Sequence, residues 1–159
     1  MVRSRLVIGA AAFDRAPSES AVIAVDGTVL AVNRAWRQFG ERNGAGSTCG
    51  PGANYLQVTE RAAEAGDEVA AAVLAALTAV RSGHAPRARM DYPCHGPDGP
   101  RWFRLHAEPL PGRSDLLLVH DDITGHVLAG RWGLDQVGHG RGSRPQDRRS
   151  APRDHSRPA

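Results

Sequence analysis

The sequence predicts an α+β domain in which helices cover one face of a single antiparallel sheet. Two β-rich runs around Asp26-Gly27-Thr28 come first, helix-compatible segments follow, and three further β-rich runs complete the pattern. This order of strands, helices and strands is typical of the α+β class. The 159 residues suit one domain with some surplus.

The first pair of strands is predicted from two short apolar runs. Residues 21–25 and 29–32 flank the Asp-Gly-Thr turn, which is a common hairpin connection. Asn33 ends the second strand and can cap a helix over residues 34–39. We expect Trp36 and Phe39 of this helix to be largely buried.

Two helices are predicted in the middle of the chain. Residues 54–65 form a short helix that Gly66 ends. Asp67 then caps the clearest helix of the sequence. Its apolar stripe follows helical spacing through Val69, Val73, Leu77 and Val80. We expect Leu77 to be largely buried.

Three strands are predicted after the helices, over residues 87–92, 102–107 and 116–121. The first two alternate polar and apolar side chains, so the parity of each strand gives the set that faces the helices. That set is Ala88, Met90, Tyr92, Phe103, Leu105 and Ala107. Phe103 is expected to be largely buried. From this set we predict a ligand pocket lined by Met90, Tyr92, Phe103 and Leu105.

Charge divides the chain into a near-neutral body and a basic tail. The sequence has no Lys; residues 1–128 hold 13 Arg against 14 acidic side chains, and residues 129–159 hold 7 Arg against 3 Asp. We therefore divide the chain into a leader (1–17), a domain (18–124) and an Arg/Gly/Pro-rich tail expected to be disordered (125–159). A neutral body argues against a folded nucleic-acid surface, but the tail leaves open a nucleic-acid- or membrane-associated protein. The tail is also compatible with out-of-frame translation.

The compartment is predicted from the cysteines and the N-terminus. Two cysteines without a CxxC pair make no disulfide framework, so a cytoplasmic protein is expected. The apolar run of residues 6–13 follows two arginines, so a secretion signal is the alternative; the run is short and Asp14 ends it.

Four local motifs, in this order, resemble the PAS family of sensor domains. They are Asp26-Gly27-Thr28 with Val32-Asn33-Arg34-Ala35-Trp36; Gly52-Ala53-Asn54-Tyr55-Leu56; Tyr92-Pro93-Cys94-His95 with Arg101-Trp102-Phe103; and Asp121-Asp122-Ile123-Thr124. The third resembles a "YPCH…RWF" hairpin of a bacterial PAS subgroup. The resemblance implies a five-stranded antiparallel sheet whose helices enclose a small cavity.

The resemblance also implies a function. It implies a sensory, ligand-binding or protein-interaction module of bacterial signal transduction, with the signal leaving through Asp122, Ile123 and Thr124. The expected partners are a small organic ligand, a second copy of the chain, or a separate histidine kinase or phosphatase. No output domain follows Thr124, and Gly125 and Gly130 are expected to interrupt the exit helix. The chain is thus interpreted as a stand-alone PAS protein or a remnant of a longer sensor.

Catalytic and cofactor alternatives find little support in the residues. Cys94 and His95 are neighbours on a strand, so their side chains point to opposite faces and do not make a nucleophilic pair. A zinc site from Cys49, Cys94, His95 and His106 lacks ligand spacing. A flavin adduct needs a Cys where Tyr55 stands, and haem would find only His84, beyond its helix. We expect no enzyme activity, no metal and a colourless protein without haem or flavin.

Overall fold

The computed structural model of the protein describes residues 9–130. Short helix α1 (Ala10–Arg15) precedes strands β1 (Glu19–Ile23) and β2 (Val29–Val32). Helix α2 (Arg34–Arg42), a 3-10 turn (Gly46–Cys49) and helices α3 (Tyr55–Glu64) and α4 (Glu68–Arg81) follow. Strands β3 (Ala88–Pro93), β4 (Trp102–Pro109) and β5 (Leu116–Asp122) complete the sheet. The strand–helix–strand order predicted from the sequence is confirmed.

The five strands form one antiparallel sheet in the order β2-β1-β5-β4-β3. The first strand lies beside the last, as predicted, with Ala21 opposite Leu118 and Ile23 opposite Leu116. In β3 and β4, Met90 lies opposite Leu105 and Tyr92 opposite Phe103. Because side chains alternate along a strand, this register places one apolar set on the face toward the helices.

Polar side chains cap the N-termini of helices α2 and α4. Asn33 is fully buried; its Oδ1 accepts from the backbone N–H of Trp36 and of Ser20, and its amide donates to two backbone carbonyls before β1. Asp67 accepts from the N–H groups of Val69 and Ala70. Both residues were predicted as caps, and both satisfy N–H groups that the first turn of a helix leaves unpaired. Asn33 also joins β1 to α2.

Gly27 allows the β1–β2 turn to contact the start of α3. Its φ is +94°, and a Cβ there would lie 2.6 Å from Oδ1 of Asn54 and 2.9 Å from Cβ of Leu56. Asn54 closes the contact by donating to the carbonyl of Asp26 and accepting from the N–H of Gln57. A residue with a side chain has no room in this turn.

The core lies between the inner face of the sheet and helices α3 and α4. Leu77 and Phe103 are buried, as predicted. Trp36 and Phe39 differ from the prediction because they are only half-buried. The physical reason is a cavity beside α2, which both side chains line.

The two ends of the described chain are helical. Asp14 of α1 forms ion pairs with Arg34 and Arg37 of α2. Residues 124–130, which we call the exit helix, follow β5 directly. We expected Gly125 to interrupt this helix and disorder to begin at residue 125, and residues 125–130 are helical instead. The reason is that the Asp122 carboxylate accepts a hydrogen bond from the N–H of Thr124 and so starts the helix.

The other expectations for the two ends fall on residues 1–8 and 131–159, outside the described residues. Within residues 9–130, no helix is both long and apolar enough to span a bilayer.

Candidate ligand-binding cavity

A half-open cavity of about 190 Å³ lies between α2, the start of α3 and the inner face of the sheet. Its lining falls into three groups. The aromatic side chains are Trp36, Phe39, Tyr55 and Tyr92; the polar or ionisable ones are Glu19, Cys49, Cys94 and His120; the small ones are Gly40 and Ala45. The volume is somewhat larger than the roughly 150 Å³ of an engineered protein cavity that binds benzene.

Aromatic rings form most of the cavity wall. The chain has eight Phe, Trp and Tyr residues, and four of them lie here. The Trp36 ring is tilted 54° to that of Tyr55, with centroids 6.0 Å apart. Phe39 and Tyr92 both pack against the buried ring of Phe103, at 5.6 Å and 6.1 Å. These contacts hold the rings at fixed angles around the space.

Trp36 is positioned by hydrogen bonds at both ends. Its backbone N–H is capped by Asn33, and its indole Nε1 donates to the carbonyl of Cys49 at 2.9 Å. The second bond ties α2 to the 3-10 turn, which forms the opposite rim. The wall and the rim of the cavity are therefore linked.

His120 contributes a buried imidazole to the cavity floor. The Tyr92 hydroxyl lies 2.5 Å from Nδ1, and Nε2 is buried without a hydrogen-bond partner among the described residues. Burial lowers the pKa of His120 to about 4, and burial also raises the pKa of Tyr92. Both groups are therefore neutral near pH 7, so the hydroxyl donates to Nδ1 and the ring proton sits on Nε2.

Glu19 places a carboxyl group at the same end of the cavity. It lies opposite His120 in the β1–β5 ladder, and its carboxyl group makes no hydrogen bond or close ion pair in the described part of the chain. Burial raises its pKa from 4.5 to about 7, partly opposed by the positive charges of Arg42 and Arg101. A half-buried carboxyl group without a partner costs free energy, which makes it a candidate for binding.

Of the residues considered for catalysis or a metal, Cys94 lies in the cavity and His95 lies on the surface. Cys94 lines the cavity, and burial raises the pKa of its thiol, which disfavours the nucleophilic thiolate. His95 is exposed, packs against Trp102 and accepts from the N–H of Arg101 through Nδ1. Cys94 and His95 therefore have different surroundings. In residues 9–130 no three His, Cys, Asp or Glu side chains are grouped to hold a metal ion.

The two residues considered for cofactors, His84 and Tyr55, lie in different parts of the structure. His84 lies just after α4, is exposed, and its Nδ1 is hydrogen-bonded to the Ser82 hydroxyl at 2.6 Å. It is not part of the cavity lining. Tyr55 does line the cavity, and burial raises its pKa to about 12. His84, the residue considered as a haem ligand, is therefore separate from the cavity.

The four predicted pocket residues are divided by the structure. Tyr92 lines the cavity, and Phe103 lies behind Tyr92 and Phe39. Met90 and Leu105 face each other on β3 and β4 and pack in the core. A ligand role for these four stays a prediction. Alternation along β3 and β4 did not identify five further lining residues, namely Glu19, Trp36, Phe39, Tyr55 and His120. Trp36 and Tyr55 do belong to the motifs that resemble the PAS family.

The predicted exit residues are brought together at the end of β5. The backbone N–H of Ile123 donates to the carbonyl of Trp102, and the N–H of Trp102 donates to the Thr124 hydroxyl. Ile123 is buried, and Asp122 caps the turn as described above. This cluster joins the start of β4 to the exit helix.

A larger groove of about 470 Å³ lies across β3, β4 and β5. Its lining includes Arg87, Arg89, His106, Glu108, Leu117 and Val119. It is half-open like the cavity, and its lining combines charged side chains with a smaller aliphatic part. Its volume exceeds that of the cavity, but the cavity has the aromatic walls and a buried, unpaired imidazole nitrogen among the described residues, which are features of a ligand site.

Comparison with known proteins gives one sequence relative and several similar structures. No protein-family model matches the chain. An uncharacterized 104.1 kDa protein in the hypE 3′ region of Rhodobacter capsulatus is 34% identical over 120 residues. The match covers 72% of this chain and 12% of that protein, so the chain spans a small part of its relative.

The similar structures include three with a TM-score of at least 0.50. A PAS domain of a Colwellia psychrerythraea protein has a TM-score of 0.50 at 17% identity, over 73% of this chain and 94% of that domain. The phage VqmA–DPO complex has a TM-score of 0.51 at 21% identity, and the match covers 80% of this chain and 56% of that one. An RNA-binding light-oxygen-voltage receptor has a TM-score of 0.53 at 20% identity, and the match covers 89% of this chain and 41% of that one. At these identities the similarity is one of fold.

Proposed function

We propose that this chain, which has the PAS fold, is a sensory module of bacterial signal transduction that binds a small organic ligand in its inner cavity. The observation that carries the proposal is the cavity itself. Four aromatic side chains line about 190 Å³, and His120 Nε2 is buried beside this space without a hydrogen-bond partner among residues 9–130. The Glu19 carboxyl lies at the same end, and burial raises its pKa to about 7. Apolar walls with a few unsatisfied polar groups are typical of small-molecule sites.

The proposed signal path runs along β5. His120 lines the cavity, and Asp122 follows it at the end of the same strand. Ile123 and Thr124 come directly after the strand, and Thr124 begins the exit helix. Their hydrogen bonds to Trp102 and to the start of the exit helix couple β5 to that helix. A ligand that shifts His120 would therefore shift the anchoring of the exit helix.

The comparisons support ligand binding without identifying the ligand. The similar VqmA structure is a complex with DPO. The Rhodobacter relative is a much longer protein, so its matching segment is one part of a larger chain. We propose that the module acts without catalysis in the cytoplasm, and that its partner is a second copy or a separate histidine kinase or phosphatase.

The proposal can be tested by filling the cavity with a larger side chain on α2. Gly40 lines the cavity, and a Cβ added there would meet no atom within 4 Å. Gly40→Leu therefore fills the space, while Gly40→Ala gains helix propensity without filling it. Both variants and the wild type are tested against a library of small organic compounds by thermal shift. We expect compounds that raise the Tm of the wild type and of Gly40→Ala by several degrees.

The Gly40→Leu variant decides where those compounds bind. It should fold with an undiminished Tm and show no shift with the same compounds. Compounds that stabilise Gly40→Leu as strongly as Gly40→Ala would place their site elsewhere and remove the cavity from the proposal. A library without any hit would argue against a ligand and favour an interaction-only module.

A further inference from the structure

We propose that the ligand of this cavity is a small organic ammonium ion, held by the Glu19 carboxylate and by the faces of the surrounding aromatic rings. This inference rests on the proposed function and specifies the chemistry of its ligand. Aromatic rings around a cation-sized space, together with one acidic side chain, are the groups that recognise methylated ammonium ions in proteins.

The first support is the arrangement of the rings. Trp36 and Tyr55 are tilted toward one another, and Phe39 and Tyr92 are both braced by Phe103. Each ring carries negative charge density on its face, so rings that turn their faces to the space would favour a cation there. A purely apolar ligand would use the same walls but would leave the carboxyl group unpaired.

The second support is the charge of the lining. Glu19 is the only carboxyl group among the described lining residues, and neither Arg nor Lys is among them. His120 is held neutral by burial, which lowers its pKa to about 4. The cavity thus contains one acidic group and no competing cation. Arg42 and Arg101 act on Glu19 from outside the lining. An ammonium ion would place a further positive charge inside the cavity.

The third support is size. About 190 Å³ is somewhat more than the cavity that encloses benzene, which corresponds to roughly six to eight non-hydrogen atoms. Choline and tetramethylammonium fall in or near this range. Ligands much larger than these would have to extend out of the half-open cavity.

Binding of a cation should be linked to the proton of Glu19. Its pKa of about 7 means that roughly half of the carboxyl groups are protonated near neutral pH. The cation binds the ionised form, so affinity should rise as pH increases through 7 and binding should release a proton. The titratable and charged groups around Glu19 are Arg42, Tyr92, Cys94, Arg101, His120 and Asp122.

The test compares choline with its neutral isostere 3,3-dimethylbutan-1-ol, which has the same shape without the charge. Isothermal titration calorimetry on the full chain at pH 8 measures both. We expect choline to bind at least about tenfold more tightly than the neutral alcohol. Choline affinity should fall roughly tenfold from pH 8 to pH 6, with proton release visible as a dependence on the buffer's ionisation enthalpy.

Three variants test which residues cause the effect. Glu19→Gln keeps the shape of the side chain and should weaken choline roughly tenfold to hundredfold while the neutral alcohol is unaffected. Glu41→Gln, at an exposed position of α2 outside the lining, removes the same charge and should change little. Phe39→Leu removes a ring and should weaken choline roughly threefold to thirtyfold.

The outcomes separate this inference from the proposed function. If choline and the neutral alcohol bind equally well, the cavity still binds ligands but the ammonium inference is wrong. If choline binds Glu19→Gln or Gly40→Leu as tightly as the wild type, its site is not this one. If neither compound binds, the ammonium inference fails, and the library experiment with the Gly40 variants alone decides the proposed function.

Discussion

Glu19→Gln should make the protein more stable at pH 8 but not at pH 4. The Glu19 carboxyl lies half-buried beside His120 and has no hydrogen-bond partner in the described chain. Burial raises its pKa in the folded protein from 4.5 to about 7. A raised pKa in the folded state means that the stability contributed by the protonated group is complete below pH 4.5 and is lost as pH rises through 7.

The size of this effect follows from the two pKa values. Each pKa unit corresponds to about 1.4 kcal/mol, so the gap between 4.5 and about 7 gives roughly 3 kcal/mol between pH 4 and pH 8. Solvent screens a half-buried carboxylate, which lowers the expected value to about 1–3 kcal/mol. Glutamine has nearly the same shape and no charge, so the variant should not show this loss.

The assay is urea denaturation of the wild type and the variant at pH 4 and pH 8. The difference between the two free energies of unfolding cancels all other titrating groups. It should favour the variant by about 1–3 kcal/mol more at pH 8 than at pH 4. Glu41→Gln is the control for a surface charge. A difference that is the same at both pH values would refute the burial of an ionising carboxyl group in this cavity.

Four further predictions concern the core, the turn, the exit and the colour. Phe103→Ala should lower the free energy of unfolding by about 3–5 kcal/mol in urea denaturation, because the ring is buried; a loss below about 1 kcal/mol would mean that it does not fill the core. Gly27→Ala should cost at least about 1 kcal/mol more than Gly52→Ala by the same assay, because both have positive φ but only Gly27 contacts other atoms; equal costs would contradict the close approach. Asp122→Ala should leave the domain folded but speed amide exchange over residues 124–128, whereas unchanged exchange would show that this carboxylate does not hold the exit helix. The purified protein should be colourless, and a Soret or flavin absorption band would overturn the prediction of no coloured cofactor.

Much of the fold could be predicted because its signals are local. The Asp-Gly-Thr turn, the Asn33 and Asp67 caps and the alternation in β3 and β4 each depend on a few neighbouring residues. The position of β1 beside β5 is a long-range feature, and it came from the resemblance to a known family. Local patterns alone do not determine which distant strands pair.

The cavity was harder to predict because its lining comes from separate elements. Strand parity identifies which side chains face the helices, but Met90 and Leu105 share that parity with Tyr92 and pack in the core instead. Half-burial of Trp36 and Phe39 depends on a space that apolar spacing does not reveal. The pKa of Glu19 depends on burial beside His120, a residue about a hundred positions away in the chain.

Ligand binding in the cavity should change how firmly the exit helix is anchored to β5. The most direct measurement is hydrogen exchange over residues 124–130, with and without a stabilising compound from the Gly40→Ala screen. We expect the compound to slow this exchange by at least about threefold in the wild type and in Gly40→Ala, and to leave it unchanged in Gly40→Leu. A compound that binds in the cavity and leaves exchange of residues 124–130 unchanged would contradict the proposed coupling through His120 and β5.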